Sequence, residues 1–384
     1  MSAPKAESFK VTNTILIVLF VTLLWLPTID SLFSIDHTAR LNENRALATK
    51  PAFTGIVHTR DYLAGLETYF NDHFGFRKAF VRMQSKWKRK LFGEAAVSEA
   101  IIGSDGWIYT TANRMIESYT GVSRFKPSEL VAWQKLLETR RAWLQQRGIA
   151  YFVVITPDKH TIYPEHLPDW LKAPPGPTKL DQWLEQFRIH STLRPLDLRP
   201  ILLVEKAKRP VYLMTDTHWN SLGAFISYQA VVRELGKQLP HLAPIPESSF
   251  QLQADANFKG DLAVLLGQES SFPERQAVQL IPSAELPKIQ IEETIQHTGN
   301  KHVTITRTHN DKAAGKAIVF RDSFGTFWYQ FFGYNFRDVI FLSQREFDPG
   351  LIEREKPDVV IDQIVERIVN THDPVEMLER DGLR

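Results

Sequence analysis

Ile149-Ala150-Tyr151-Phe152-Val153-Val154-Ile155 is the stretch on which the fold turns. A strand points successive side chains to opposite faces, so a run that is apolar at every position must be covered on both sides. That arrangement belongs to a largely parallel sheet with helices on each face. Helical spacing precedes the run: Leu130, Trp133, Leu137 and Leu144 recur between a start at Pro127 and a stop at Gly148. The alternation then repeats. Val211-Tyr212-Leu213-Met214 reads as a strand and Ser221 to Leu239 as a helix with Leu222, Phe225, Ile226, Val232 and Leu235 on its buried stripe. Ala317-Ile318-Val319-Phe320, Val339-Ile340-Phe341-Leu342 and Val359-Val360-Ile361 read as further strands. The pattern predicts an α/β fold, a doubly wound mostly parallel sheet with flanking helices. Ala100 to Tyr109 reads as two short strands around an Asp-Gly turn, and residues 240 to 300, Pro-rich and aperiodic, as an insertion.

Outward from this core, the N-terminal side has a different composition. Val11 to Ile29 carries no charge, Lys5 and Lys10 precede it, and Asp30 and Asp36 follow. About 20 helical residues cross a hydrocarbon layer of about 30 Å. The flanking charge places the N-terminus inside and the remainder outside. The run is long for a signal peptide and lacks a small-x-small cleavage site, so it reads as a retained anchor. The expected organisation is a cytoplasmic tail at 1–10, a transmembrane anchor at 11–33, a membrane-proximal helical region at 34–95 and one large domain at 96–384. Within the third segment, Lys86-Trp87-Lys88-Arg89-Lys90 on a helix near 78–92 reads as a solvated face, with contact to anionic lipid headgroups or an acidic polymer as the alternative.

Composition excludes whole classes of chemistry. The 384 residues include no cysteine, which removes thiol nucleophiles, thiolate metal sites and disulfide scaffolds. A net charge of +2 gives no footprint for nucleic acid.

In a doubly wound sheet, ligands meet the residues just beyond the strands' carboxyl ends. Three such places hold chemistry: Thr156-Pro157-Asp158-Lys159, Thr215-Asp216-Thr217-His218-Trp219-Asn220 and Arg321-Asp322-Ser323-Phe324-Gly325. A serine on a strand-to-helix turn is exposed, but its hydroxyl needs an adjacent base. His218 suits that role, and Asp216, two positions earlier on the same side of an extended chain, suits the carboxylate that orients the imidazole. Taken singly, Ser323 is a helix cap and Asp216 and His218 are turn residues or metal ligands; their conjunction at predicted strand ends points to acyl transfer. Asp322 competes for the carboxylate role.

Seven motifs carry a resemblance. They are Asp72-His73-Phe74-Gly75-Phe76-Arg77, Gly103 to Tyr109, Pro157 to Glu165, Thr215 to Asn220, Gly260-Asp261-Leu262, Arg321 to Gly325 and Pro357 to Ile361. Together, in this order, they resemble the SGNH hydrolase-like alginate O-acetyltransferase family, the J and X type proteins of alginate acetylation. The resemblance implies an SGNH hydrolase-like domain in the periplasm, tethered to the inner membrane, with Ser323 as nucleophile, His218 as base and Asp216 as orienter. It implies a polytopic membrane-bound O-acyltransferase as acetyl supplier and an exopolysaccharide, such as alginate or acetylated cellulose, as acceptor. No soluble cofactor and no metal is expected. Gly106, Lys159, Asn220 and Arg321 are candidates for the oxyanion site, and Lys159, Tyr163 and Arg321 for contact with an acidic sugar. Trp107, Trp219 and Trp328 read as core, with sugar stacking as the alternative. The same triad with water as acceptor would make a polysaccharide acetylesterase, and a non-catalytic polysaccharide-binding subunit of a secretion complex is the third reading.

Overall fold

The structure, a computed structural model, describes residues 4–33, 35, 48–52, 59–77, 80, 83, 100–172, 176–298 and 301–383. The basic run Lys86 to Lys90 and nearly all of the helix expected near 78–92 lie outside these residues. The chain forms two units, one of Met1–Val97 with Ala263–Ser271, the other of Ser98–Leu262 with Phe272–Arg384.

In the first unit, helix α1 (Pro4–Phe33) begins within the stretch read as a tail and runs through Lys5, Lys10 and Pro27. Its window Asn13–Asp30 has a mean hydropathy of 1.8 over 18 residues, long and apolar enough to cross a membrane. Helix α2 (Thr59–His73) follows. The Phe74-Gly75-Phe76 turn beyond it bonds back to the end of α1, the Phe76 N-H donating to Asp30 Oδ2 at 2.9 Å. At Gly75 a Cβ would lie 2.3 Å from the Pro27 carbonyl oxygen, so only glycine permits this approach.

The second unit is built on a seven-stranded sheet. Its strands are β3 (Ala150–Thr156), β4 (Leu196–Asp197), β7 (Gln290–Thr298), β8 (Lys301–His309), β9 (Lys316–Phe320), β10 (Asp338–Leu342) and β11 (Val359–Val365), in the order β4-β3-β11-β9-β10-β8-β7. From β4 to β10 every pairing is parallel, with Phe152 opposite Ile361 and Val339 opposite Ala317. The two-faced apolar pattern has the expected cause. Phe152, Val154, Val319, Phe341 and Ile361 enter a core on one face; Tyr151, Val153, Ile155, Ile318, Ile340 and Val360 enter the core on the other. Helices α3 (Pro127–Gln145), α4 (Lys179–His190), α6 (Pro349–Glu355) and α7 (Pro374–Asp381) cover the second face with Trp133, Leu137, Trp183, Phe187, Ile352 and Met377. Helix α5 (Ser221–Gly236) covers the first with Leu222, Phe225, Tyr228 and Val232. Each such buried side chain contributes about 1.5–3 kcal/mol. Strands β1 (Ala100–Ile102) and β2 (Ile108–Thr110) form the expected small ribbon, and its turn places Asp105 and Gly106 at φ of 56° and 85°.

Two expectations are corrected. Val211 to Met214 is no strand of the sheet: Tyr212 bridges only to Trp219, the Asn220 N-H donates to Val211 O at 3.1 Å and the Ile108 N-H to Met214 O at 2.9 Å. The segment is apolar because it is buried, and its backbone is satisfied within a tight arc. Residues 240–300 are not aperiodic throughout. They contain β5 (Phe250–Ala254), paired with β6 (Val278–Pro282), and the whole of β7, which with β8 extends the main sheet antiparallel. Their exposed faces are rich in Gln, Glu and Thr, so an inward apolar face was the missing signal, and Ile291 and Ile295 are themselves exposed.

Candidate active site

Ser323 stands where β9 gives way to a 3-10 turn, Ser323–Trp328. The turn is fixed from behind. The Asp322 carboxylate accepts from the Phe324 N-H at 2.9 Å, from the Val365 N-H at 2.7 Å and from Gln363 Nε2 at 3.0 Å, and it pairs with Arg345 at 2.9 Å. Gln363 Oε1 in return accepts from the Asp322 N-H. Asp322 is thus committed to β11 and to its own turn, leaving the Ser323 side chain exposed.

Opposite it lies the arc from Val211 to Asn220. His218 Nε2 is 2.7 Å from Ser323 Oγ, and His218 Nδ1 is 2.7 Å from Asp216 Oδ1. A carboxylate can only accept, so the proton sits on Nδ1 and leaves Nε2 to accept from the serine hydroxyl. Asp216 also accepts from the His218 N-H at 2.9 Å and, through Oδ2, from the Asp261 N-H at 2.8 Å. Burial would raise its pKa, but the His218 hydrogen bond and charge, together with these N-H donors, outweigh it and hold the carboxyl below its ordinary value. Phe324 and Phe327 flank the imidazole, with ring centroids 4.9 and 5.9 Å away. The rest of the arc is pinned: Glu274 accepts from the N-H of Met214 and from both the N-H and the hydroxyl of Thr215.

The other candidates occupy different places. Lys159 is buried, and its ammonium donates to the carbonyls of Leu213, Met214 and Asp216 at 3.1, 3.0 and 2.5 Å. All three of its N-H bonds are engaged, so it holds the arc and does not reach outward to an oxyanion or a sugar. Burial lowers its pKa to about 8. Asn220 caps α5, accepting from the Gly223 N-H and donating to the carbonyls of Pro210 and Gln276. Tyr163 is buried against Trp107, its hydroxyl accepting from the Val211 N-H at 3.0 Å. Arg321 donates to the Tyr329 hydroxyl, and burial lowers its pKa. Gly106 belongs to the β1–β2 turn, beside Met214 and Phe272. Trp107, Trp219 and Trp328 are core residues.

The sequence assigns no role to Asp261, Glu274 or Gln363; Asp261 and Glu274 lie away from the apolar strands, and Gln363, just beyond Val359-Val360-Ile361, carries no chemistry of its own that sets it apart. One signal was present in Gly260, where a Cβ would lie 2.2 Å from the Thr215 carbonyl oxygen, which requires glycine beside the arc. Asp216, His218 and Asp261 bring ligand-type atoms within 4.8 Å of one another. Most of those atoms are engaged: Asp261 Oδ1 accepts from the Thr217 N-H and hydroxyl, both Asp216 oxygens accept N-H bonds, and His218 Nδ1 faces Asp216. The group is arranged as a hydrogen-bond relay.

Comparison with known proteins converges on one family. The family described as SGNH hydrolase-like domain, acetyltransferase AlgX, matches residues 100–304, an interval that holds Asp216, His218 and Asp261 and stops short of Ser323. A probable alginate O-acetylase AlgJ of Pseudomonas syringae pv. tomato is 29% identical over 211 residues, covering 54% of this chain and 51% of that protein. Its counterpart in Pseudomonas aeruginosa is 26% identical over 241 residues, covering 60% and 57%. The chain therefore spans about half the length of the curated relatives it matches. Among solved structures, Bacillus cereus PatB1 with a sulfonyl adduct aligns with a TM-score of 0.53 at 14% identity, over 73% of this chain and 99% of that one, a likeness of fold. With the family match extending over more than half of its residues and across the Asp216-x-His218 arc, the chain belongs to the SGNH hydrolase-like acetyltransferase AlgX family.

Proposed function

We propose that this protein is a membrane-anchored O-acetyltransferase that moves acetyl groups onto hydroxyls of an exopolysaccharide outside the cytoplasm. The observation that carries this reading is the continuous relay from Asp216 through His218 to Ser323, with 2.7 Å at each step. His218 removes the hydroxyl proton of Ser323 as its oxygen attacks the acetyl carbonyl of the donor. The donor's leaving oxygen takes that proton from the imidazolium, and acetyl-serine remains. A sugar hydroxyl then loses its proton to His218 and attacks the acetyl-serine, yielding the acetylated sugar and free Ser323. Asp216 holds the tautomer and stabilises the imidazolium at both stages. The family membership supports acetyl transfer, and the named relatives favour alginate or a similar polymer as acceptor. On this reading a polytopic membrane acyltransferase supplies acetyl groups and α1 retains the protein at the inner membrane.

Replacing Ser323→Ala removes the nucleophile. The expected result is loss of polymer acetylation in cells and a fall of at least about 10³-fold in acetyl transfer to an acceptor oligosaccharide in vitro. Unchanged acetylation in the variant overturns the catalytic reading and leaves a binding subunit. Acetyl release without an acetylated oligosaccharide identifies an esterase instead. N-terminal sequencing of the membrane-bound protein checks the anchor: a mature chain beginning after Asp30 means that the apolar helix is removed.

A further inference from the structure

The relay has a neighbour that the three-residue mechanism leaves unused. Asp261 touches every part of the Asp216-Thr217-His218 arc. Its N-H donates to Asp216 Oδ2 at 2.8 Å, and its Oδ1 accepts from the Thr217 N-H at 2.7 Å and from the Thr217 hydroxyl at 3.1 Å. Its second oxygen is different. Asp261 Oδ2 is buried with no hydrogen-bond partner and lies 3.8 Å from His218 Nδ1, the atom that already faces Asp216. A buried acceptor without a donor is costly, so its presence calls for a reason.

Resting on the acyl-transfer reading above, we propose that Asp261 is a positioning residue of the reaction: it fixes the arc through Thr217 and Asp216, and its free oxygen is a second acceptor for the Nδ1 proton of His218. The geometry explains why two carboxylates serve one imidazole. Asp216 bonds both the ring and the backbone of His218 through Oδ1, so a small rotation of the imidazole, as Nε2 passes its proton from serine to leaving group and back, would strip Nδ1 of its partner. Asp261 Oδ2 lies within about 1 Å of hydrogen-bond range for the displaced ring. When His218 is charged, the second carboxylate also stabilises it. Burial and the charge of Asp216 raise the Asp261 pKa while the neighbouring hydrogen bonds lower that of Asp216, so the two carboxyls are driven apart in character. The other charged groups acting on this cluster are Lys159, which faces both carboxylates and Glu274, and Arg367, which acts on Asp261.

The test uses the whole protein, p-nitrophenyl acetate as acetyl donor, and Ser323→Ala as the control that judges the acyl-transfer reading independently. Asp261→Asn keeps an oxygen for Thr217 and places an amide where Oδ2 stands. The expected result is a fall in kcat of roughly 10- to 100-fold with KM unchanged, and an acid limb of the kcat profile moved to lower pH because the imidazolium has lost a carboxylate. In the Asp216→Asn background, adding Asp261→Asn is expected to reduce the residual rate further, to that of His218→Ala. Should Asp261→Asn fail to fold, Thr217→Val removes the hydroxyl bond to Asp261 and is expected to lower kcat without moving the acid limb; an unchanged kcat there overturns the proposal. If Ser323→Ala abolishes turnover while Asp261→Asn leaves kcat and the acid limb in place, the proposal is overturned and the acyl-transfer reading stands. A lowered Tm with those two kinetic measures unmoved overturns it equally, as a merely structural role. Failure of the Ser323→Ala control removes the premise, and the proposal with it.

Discussion

Lys159 shows how a residue chosen for one kind of chemistry can serve another. Sequence placed it beyond a strand end, where a cation could meet a substrate; the structure turns it inward onto three carbonyls of the arc. Lys159→Met would take this donor from the Leu213 and Asp216 carbonyls, at about 1–3 kcal/mol each, while Met214 O keeps the Ile108 N-H. We expect a loss of roughly 2–5 kcal/mol in urea unfolding, with kcat falling because His218 is no longer held over Ser323. Gly260→Ala tests the same arc from its other side and should lower Tm, since the new methyl group meets the Thr215 backbone. That Asp216, His218 and Ser323 meet was legible because their spacing and their place near apolar segments were visible in the residues themselves. Partners such as Glu274 and Gln363 were not, because nothing local distinguishes a buried carboxylate or amide that caps an arc from an exposed one. The direction of Lys159 was hidden for the same reason: it depends on where carbonyls distant in sequence come to rest.

At the level of elements, the two-faced strands β3, β9, β10 and β11 were legible from consecutive apolar positions covered on both faces, although Asp362 and Gln363 interrupt that run within β11. Strand β7 was not, since it lies at the edge of the sheet with residues 290–296 exposed, and no apolar face marks it. The Val211 to Met214 arc misled in the opposite sense: burial alone gave it a strand's composition without a strand's partners. Polar joints hold the elements in place. Arg140 on α3 donates to Asp362 on β11 at 2.6 Å and to Asp381 on α7 at 2.7 Å, all three side chains buried. Arg140→Met strands two carboxylates in the core, and a loss of about 3–5 kcal/mol is expected by chemical denaturation. Because Gln363 and Val365 on that same strand bond Asp322, the variant should also lower activity in protein that remains folded, which a rate measured below the unfolding transition will show.

For the molecule as a whole, a near-zero net charge conceals strongly perturbed buried groups. Glu366 accepts from the Asp158 N-H and the Thr161 hydroxyl, yet burial and the neighbouring charge of Asp158 raise its pKa from 4.5 to about 7. Between those values the folded protein keeps a proton that the unfolded chain releases, so this group's contribution to stability declines as pH rises from about 4.5 to about 7 and is level above. Glu366→Gln is expected to flatten that decline in a series of Tm measurements across the interval; an unchanged slope means that other groups set it. The absence of cysteine excludes a thiol nucleophile, and on the proposed reading the attacking atom is the Ser323 oxygen.

The Ser323 turn relies on β11, a strand that follows it in the sequence. His218 and Ser323 are 105 residues apart, and the backbone that presents the serine is latched by Gln363 and Val365, which are translated later still. A chain halted before Val359 would contain Asp216, His218 and Ser323 but no strand to dock the serine turn. On the proposed acyl-transfer reading, competence is therefore a property of the finished sheet: Ser323 is presented only once β11, the last strand in the sequence, has docked.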